Sequence, residues 1–506
     1  MLRSFHISRR FAARSLQTKH LVRTFESRNE ALEFYDEHTD LSVGQLEPVF
    51  SQIVFIESNT KAPVSDDLFK DERFIRFLLQ ATSDIENCET VHLVRYAMAI
   101  SKLSLPRGGC REISELARRI GDIATRRLNA FSPTTLSQLV FGLGTRGVSD
   151  PQFVDFVRME SLKMMQDFSP ENAITMLEGF RRIGVFNRDL TDNLVERLTD
   201  EVDRLTSKDI VNCVSVFSKL GLGRGFLLRR LSRLSYENLS LFEEKQLVRL
   251  LGGLARLRFT TSAGVDEILS FLETRGLSKV TCSQACELLF ATALTKSYSG
   301  ESTVLNKLVE IIHQGLDSLS VTSMMDAAWA LAVLDETDQY ASVFKRISDR
   351  IFSIPPPSNR QLLLKALELI PAVYDEKNSQ SQWKAATKEA EKLEMNRFDS
   401  ARLHSEVLSL IESITWPNHK ITLQRNVEVG GGLFRVDFFS EALNLVIDID
   451  TLSRPTTLVL KHRLLAQRAG IKTVALGYWD LRRMKTFEEQ QTWIKAKILK
   501  EIGPAK

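Results

Sequence analysis

The most basic stretch of this 506-residue chain lies near its C-terminus, between Arg454 and Lys485. It holds eight lysines and arginines against one acid, Asp480, and so carries a formal net charge of +7. Tyr478 and Trp479 lie within it. Cations beside aromatic rings are what proteins use to neutralise phosphates and stack the unpaired bases of RNA. We therefore predict that this stretch binds RNA. The residues assigned to that role are Lys461, Arg463, Tyr478, Arg482, Arg483 and Lys485.

A second set of cations recurs through the middle of the chain at intervals close to 37 residues. Its members are Arg181, Arg182, Lys219, Arg224, Arg256, Arg258 and Lys296. If equivalent positions of a repeat line up on one face, these side chains form a ladder that could follow a phosphate backbone. We assign RNA contact to Arg181, Arg182, Arg256 and Arg258. The alternative is that they lie at solvated C-terminal ends of helices, where the helix dipole stabilises cations in any case.

These cations fall within an internal repeat of about 37 residues. Phe131-Ser-Pro aligns with Phe168-Ser-Pro, and the next copy begins at Leu205. Weaker copies follow, and a divergent one precedes the first, which gives about seven in all. A further copy in the same register starts at Phe242, the weaker copies start at Val280 and Leu319, and the divergent copy lies around Thr90.

Each unit has the pattern of two helices. Apolar residues recur at spacings of three and four, which is typical of an amphipathic helix. Ser-Pro or Thr-Ser at the start suits a helix cap, and Gly147, Gly184 and Gly221 fall where a helix would end with positive φ. A helical hairpin cannot bury its apolar face alone, so stacked copies predict an α-solenoid.

The pattern fades after Asp335 and changes again from Ser405 onwards. Short β-branched runs predict strands over residues 421–429, 432–439, 443–449 and 473–477, and helices are predicted between and after them. The predicted fold is therefore mostly α, an α-solenoid followed by a small C-terminal α/β domain. The predicted boundaries are 1–25 (presequence), 26–86 (N-terminal helical cap), 87–352 (repeats), 353–404 (linker and helices) and 405–506 (α/β domain).

Short motifs of the C-terminal part resemble a RAP domain. They are Arg435-Val-Asp-Phe438, Leu445-Val-Ile-Asp-Ile-Asp450, Leu460-Lys-His-Arg-Leu-Leu465, Gly470-Ile-Lys-Thr-Val474 and Gly477-Tyr-Trp479. With the repeats, the chain is similar to heptatricopeptide and octotricopeptide repeat proteins of organelles and to FAST kinase-like mitochondrial proteins. This resemblance implies RNA binding in an organelle.

The RAP fold in turn resembles the PD-(D/E)xK nuclease core, whose carboxylates bind a divalent metal that activates water. The resemblance puts Asp437, Asp448 and Asp450 in the matching places. Two departures weaken a nuclease assignment: Asp450 replaces the usual lysine, and Thr451 to Arg454 replace the usual Gly-Pro-x-His. The three aspartates therefore remain candidates only, Mg²⁺ is expected only if they are catalytic, and no other cofactor is expected. The alternative is that these acids support strand ends and pair with arginines.

The first 25 residues contain six lysines and arginines and no acid. An Arg-rich, Ser-containing, acid-free start is typical of an organellar transit peptide, here mitochondrial. The alternative is a basic arm that binds nucleic acid directly. Without this segment the chain has 61 basic and 64 acidic residues, a formal net charge of −3, so RNA binding would depend on local patches.

Other features exclude several classes of protein. No run of about 18 uncharged apolar residues is present, so a membrane span is not expected. The five cysteines form no CxxC pair, which favours free thiols.

We predict a protein of the mitochondrial matrix that binds messenger or ribosomal RNA and acts in its stability, processing or assembly into ribosomes. The alternatives are a structural subunit of a divergent mitochondrial ribosome, a metal-dependent endoribonuclease and a protein scaffold.

Overall fold

The computed structural model describes most of the chain from residue 24 to residue 502. The described ranges are 24–38, 40–59, 67–106, 109–127, 129–184, 187–223, 225–260, 262–275, 277, 279–295, 303–334, 339–372, 381–395, 398–416, 421–431, 434–450, 456, 458–477, 480–481 and 484–502. The predicted presequence, except its last two residues, lies outside these ranges. The chain divides into two compact units, Met1–Asp209 and Ile210–Lys506.

The first unit is built from pairs of helices. They are α1 (Arg28–Glu37), α2 (Val43–Asn59), α3 (Glu72–Asp84), α4 (Thr90–Lys102), α5 (Arg111–Arg126), α6 (Pro133–Thr145), α7 (Pro151–Lys163), α8 (Pro170–Ile183) and α9 (Arg188–Asp200), and α10 (Ser207–Leu220) crosses the boundary between the units. The first helices of successive pairs, α2, α4, α6 and α8, pack side by side, and so do the second helices, α3, α5, α7 and α9. This arrangement is that of stacked helical hairpins.

The predicted helix ends are confirmed. The Ser132 and Ser169 hydroxyls accept the backbone N–H of Thr135 and Asn172, so each caps the free amides of a first turn. The α8 helix ends at Gly184 with φ 79°, where an L side chain would be strained. The two equivalent glycines, Gly147 and Gly221, also have positive φ.

A feature that the periodicity did not predict is a short 3₁₀ turn before many of the first helices. Three such turns, Met165–Asp167, Val202–Arg204 and Leu239–Leu241, start at intervals of 37 residues. After two of these turns, an arginine in or directly after the following second helix binds the carbonyl of the residue that follows the turn. Arg197 donates to Phe168 O at 3.0 Å, and Arg275 donates to Phe242 O at 2.9 Å. These arginines thus fix the link between successive hairpins.

The second unit continues with helical pairs and ends in an α/β domain. Its helices are α11 (Gly225–Glu237), α12 (Glu244–Arg256), α13 (Ser262–Thr274), α14 (Cys282–Thr295), α15 (Thr303–Gln314), α16 (Val321–Leu334), α17 (Ala341–Phe352), α18 (Arg360–Ala372), α19 (Ser381–Met395) and α20 (Phe398–Glu412). The first helices α12, α14, α16 and α18 pack in succession. Helical packing therefore continues through residues where the sequence repeat fades.

The C-terminal domain contains a four-stranded sheet in the order β1-β2-β3-β4. The strands are β1 (Gln424–Val429), β2 (Phe434–Ser440), β3 (Leu445–Asp450) and β4 (Lys472–Gly477), with α21 (Val459–Ala469) between β3 and β4 and α22 (Phe487–Ile502) after them. The first three strands are antiparallel and β4 is parallel to β3. The core is formed by buried apolar residues of α20, the sheet and α22.

The predicted fold class is confirmed: helical repeats are followed by a small α/β domain. Within the second unit, α21 of that domain packs against α16 and α18 of the repeats. Among the described residues, none of the helices has the length and apolar character needed to cross a bilayer.

Candidate functional site

Arg181 and Arg182, at the end of α8, are both engaged by a carboxylate of their own helix. Arg181 donates two hydrogen bonds to Glu178, each 2.7 Å long, and this contact raises the pKa of the guanidinium. Arg182 binds Glu178 at 3.0 Å and the Thr145 hydroxyl at 2.8 Å, and its guanidinium carbon lies 4.4 Å from the centre of the Phe141 ring. Both guanidinium groups therefore have intramolecular partners, and their contact with RNA stays a prediction.

Arg256 is the last residue of α12, and Arg258 follows two residues later; both guanidinium groups also have partners within the protein. Arg256 pairs with Glu287 at 3.1 Å and approaches Asp326 at 3.8 Å. Arg258 occupies the glycine position of the repeat, 37 residues after Gly221, with φ 59°. Its guanidinium donates to the Thr456 carbonyl of the C-terminal domain at 2.9 Å. Burial lowers its pKa, which the charges of nearby carboxylates oppose.

Two of the predicted cations on α21 are also used internally. Arg463 donates to the carbonyls of Ala332 and Val333 at the end of α16. Lys461 is 3% exposed, and its ammonium lies 2.9 Å from Asp448 Oδ2. Arg258 and Arg463 thus join the repeats to the α/β domain, and Lys461 acts within that domain.

Most of the other residues predicted to bind RNA lie outside the described residues. Tyr478, Trp479, Arg482 and Arg483 lie outside the described residues, so their assignment stays a prediction. Lys485 precedes α22 and is exposed.

The structure brings Asp437 and Asp448 together on the neighbouring strands β2 and β3. Asp448 Oδ1 accepts the backbone N–H of Asp437 at 2.8 Å, and Asp437 Oδ2 accepts the backbone N–H of Ile449 at 2.7 Å. Each carboxylate therefore reaches across and satisfies an amide of the opposite strand. Both side chains are buried, Asp437 being 4% exposed and Asp448 0%.

The other oxygen of each carboxylate meets a side chain from a helix. Asp448 Oδ2 lies 2.9 Å from both Lys461 Nζ and His462 Nε2, which α21 supplies. Asp437 Oδ1 lies 3.1 Å from His404 Nε2 of α20. His404 and His462 were not predicted from the sequence, because their position beside the carboxylates depends on how α20 and α21 pack on the sheet.

This centre does not fit a hydrated magnesium ion. Mg²⁺ retains several waters and binds few protein oxygens, so it needs an open site. Both carboxylates are buried: three of their four oxygens lie against backbone N–H groups or the Lys461 ammonium, and the fourth, Asp437 Oδ1, lies 3.1 Å from His404 Nε2. The charge of Asp450 acts on Arg258 of the repeats. Across the described ranges, no three His, Cys, Asp or Glu side chains are grouped so that they could hold a metal ion.

A pair of cations on α12, Lys245 and Arg249, was also not predicted as a binding site from the sequence. Both are exposed, and neither forms an ion pair within the described part of the chain. Arg249 has a long contact of 3.5 Å with the Asn212 side chain. The sequence did indicate that these two side chains share one exposed face of a helix. They lie four residues apart, and the residues around them are apolar and buried: Leu247, Val248, Leu250 and Leu251.

Residues 50–300, just under half of the chain, match the family model described as RNA-editing substrate-binding complex 6 protein. The matched range covers most of the helical repeats and none of the α/β domain. No curated protein matches the chain.

The identification of a RAP domain protein with heptatricopeptide- or octotricopeptide-like repeats is wrong, as is the likeness to FAST kinase-like proteins. The family model that matches is a different one. The motifs around Asp437 and Asp448 describe two adjacent buried strands whose carboxylates satisfy each other's backbone amides, and so short a pattern is not specific to a family. The match supports the coarser expectation of an RNA-binding role in RNA processing, and it gives no support to a ribosomal role.

Proposed function

We propose that this chain is an RNA-binding protein of the mitochondrial matrix that acts in RNA processing and binds its RNA through the helical repeats. The observation that carries the proposal is the match of residues 50–300 to a family model named for binding the substrates of RNA editing. By this proposal the repeats bind a transcript that is processed. The mitochondrial location is supported by the Arg-rich, acid-free first 25 residues.

Lys245 and Arg249 are the residues of the matched range best suited to hold a phosphate backbone. Two like charges four residues apart on a helix repel each other, which destabilises the helix by a few tenths of a kcal/mol. No acid stands three or four residues from either of them on α12. An anionic ligand would relieve this repulsion, because each cation would then face a phosphate.

The cations of the predicted ladder are less suited to this role. Arg181 and Arg182 share Glu178, and Arg256 lies between Glu287 and Asp326. A phosphate approaching them would meet these carboxylates. Within the described part of the chain, neither Lys245 nor Arg249 is held in an ion pair, although Glu243 and Glu244 directly precede Lys245.

Exchanging both cations for alanine, Lys245→Ala with Arg249→Ala, is expected to weaken the binding of single-stranded RNA by the full-length chain. Each lost phosphate contact reduces the slope of log affinity against log salt by about 0.7 for a single strand, so the double variant should lose about 1.4. Fluorescence anisotropy with a labelled RNA at several salt concentrations measures both quantities.

The matched control is Arg229→Ala with Lys279→Ala, which removes the same charge from exposed positions outside α12. It should retain the wild-type slope. Equal losses in both variants would mean that α12 has no specific role, and an absence of RNA binding by the wild-type chain would refute the proposed function itself.

A further inference from the structure

The buried centre of the C-terminal domain lies where the backbone hydrogen bonds between β2 and β3 give way to hydrogen bonds from side chains. Backbone pairing joins Phe438 to Ile447 and continues towards Ser440 and Leu445. One residue further on, at Asp437 and Asp448, the carboxylates bind the amides of the opposite strand instead. Two carboxylates on adjacent strands at such a point are also the arrangement in which a nuclease would hold a divalent metal.

Here a cation of the chain itself occupies the centre. The Lys461 ammonium lies 2.9 Å from Asp448 Oδ2 and is almost fully buried. The imidazoles of His462 and His404 take the remaining approaches to Asp448 and Asp437. A divalent ion could bind Asp448 Oδ2 only by displacing the ammonium, because two cations at that distance from one carboxylate would repel each other strongly in a buried site.

We propose that the Lys461 ammonium is the permanent cation of the Asp437–Asp448 centre, so that this centre binds no divalent metal and does not catalyse metal-dependent hydrolysis of RNA. The centre instead fastens α21 to the sheet. Because Arg463 of the same helix binds the end of α16, α21 is held on both sides, by the sheet and by the repeats. This inference holds whether or not the repeats bind RNA.

The wild-type full-length chain provides the first test. Titration with Mn²⁺, followed by the electron paramagnetic resonance signal of the free ion, should show no saturable site, and the melting temperature should be the same in millimolar Mn²⁺ and in EDTA. Saturable Mn²⁺ binding that Asp448→Asn removes would overturn the proposal. Metal-dependent cleavage of RNA that Asp448→Asn abolishes would do the same.

The second test removes the ammonium that lies beside Asp448. Lys461→Met keeps most of the side-chain volume but removes the charge, so the variant should melt at a lower temperature than the wild type and be restored by Mn²⁺. The control Lys472→Met, at an exposed position of β4, should melt like the wild type and not respond to Mn²⁺. A folded Lys461→Met variant that ignores Mn²⁺ would contradict the assignment. If the variant does not fold, the wild-type titration decides.

Discussion

Lys365→Met is expected to lower the free energy of unfolding of this protein by about 3 kcal/mol. The change removes one partner of a buried ion pair and leaves the charge of the other partner buried. Lys365 of α18 binds Asp326 of α16, and both side chains are 8% exposed. Its ammonium also lies 4.4 Å from the centre of the Phe290 ring of α14. The variant leaves the Asp326 carboxylate buried with Arg256 at 3.8 Å as its remaining ion-pair partner in the described structure.

Chemical denaturation of the full-length chain measures this loss. The double variant Lys365→Met with Asp326→Asn should recover part of it, because neither charge is then left without its partner. The control Arg233→Met breaks an exposed pair with Glu237 in the same unit and should leave the unfolding free energy unchanged. A single variant as stable as the wild type would show that the pair is not buried as described.

Gly142→Ala is expected to lower the free energy of unfolding by about 2 kcal/mol, although alanine is the better helix former. A Cβ at Gly142 of α6 would lie 2.5 Å from the carbonyl oxygen of Ala97 in α4, and a backbone oxygen cannot move aside cheaply. The first helices of neighbouring repeats therefore approach to backbone contact at this point. Their stacking depends on the missing side chain.

Gly121→Ala supplies the matched comparison in the same unit. A Cβ at Gly121 of α5 would lie 3.4 Å from the nearest side-chain atom, which is an ordinary contact. This variant should be stabilised by up to about 1 kcal/mol through helix propensity alone. Thermal or urea unfolding measures the stability of both variants. If both changes stabilised the protein, the close approach of α6 to α4 at Gly142 would be contradicted.

The sequence predicted the repeat and its helix ends because both depend on local patterns. Ser-Pro caps and helix-ending glycines act within a few residues, and Gly184 has the positive φ that its position in the repeat predicted. The strands of the α/β domain were predicted for the same reason, since β-branched runs bounded by glycine are a local signal.

The partners of the charged residues were not predictable in this way. Arg258 stands where the repeat has glycine, and it was assigned to RNA as one more cation of a ladder. It reaches Thr456, a residue 198 positions away, and no periodicity of the repeat encodes that contact. A guanidinium with fixed geometry can bind a backbone carbonyl as well as a phosphate, so residue type alone does not separate the two roles.

The carboxylate centre was predicted in part. Local patterns put Asp437 and Asp448 on strands, and the pairing of β2 with β3 then brought them together. Lys461, which decides what the centre can bind, was counted among the surface cations because nothing in its immediate sequence indicates burial. Its position depends on how α21 packs between the sheet and the repeats.

Crosslinking of the tagged protein to RNA in isolated mitochondria, followed by sequencing of the bound RNA, tests the central proposal most directly. We expect a narrow footprint on particular transcripts, enriched over a mock purification, and a weaker footprint for the Lys245→Ala, Arg249→Ala variant. An absence of enrichment in the wild-type protein would contradict an RNA-binding role and would favour a protein scaffold.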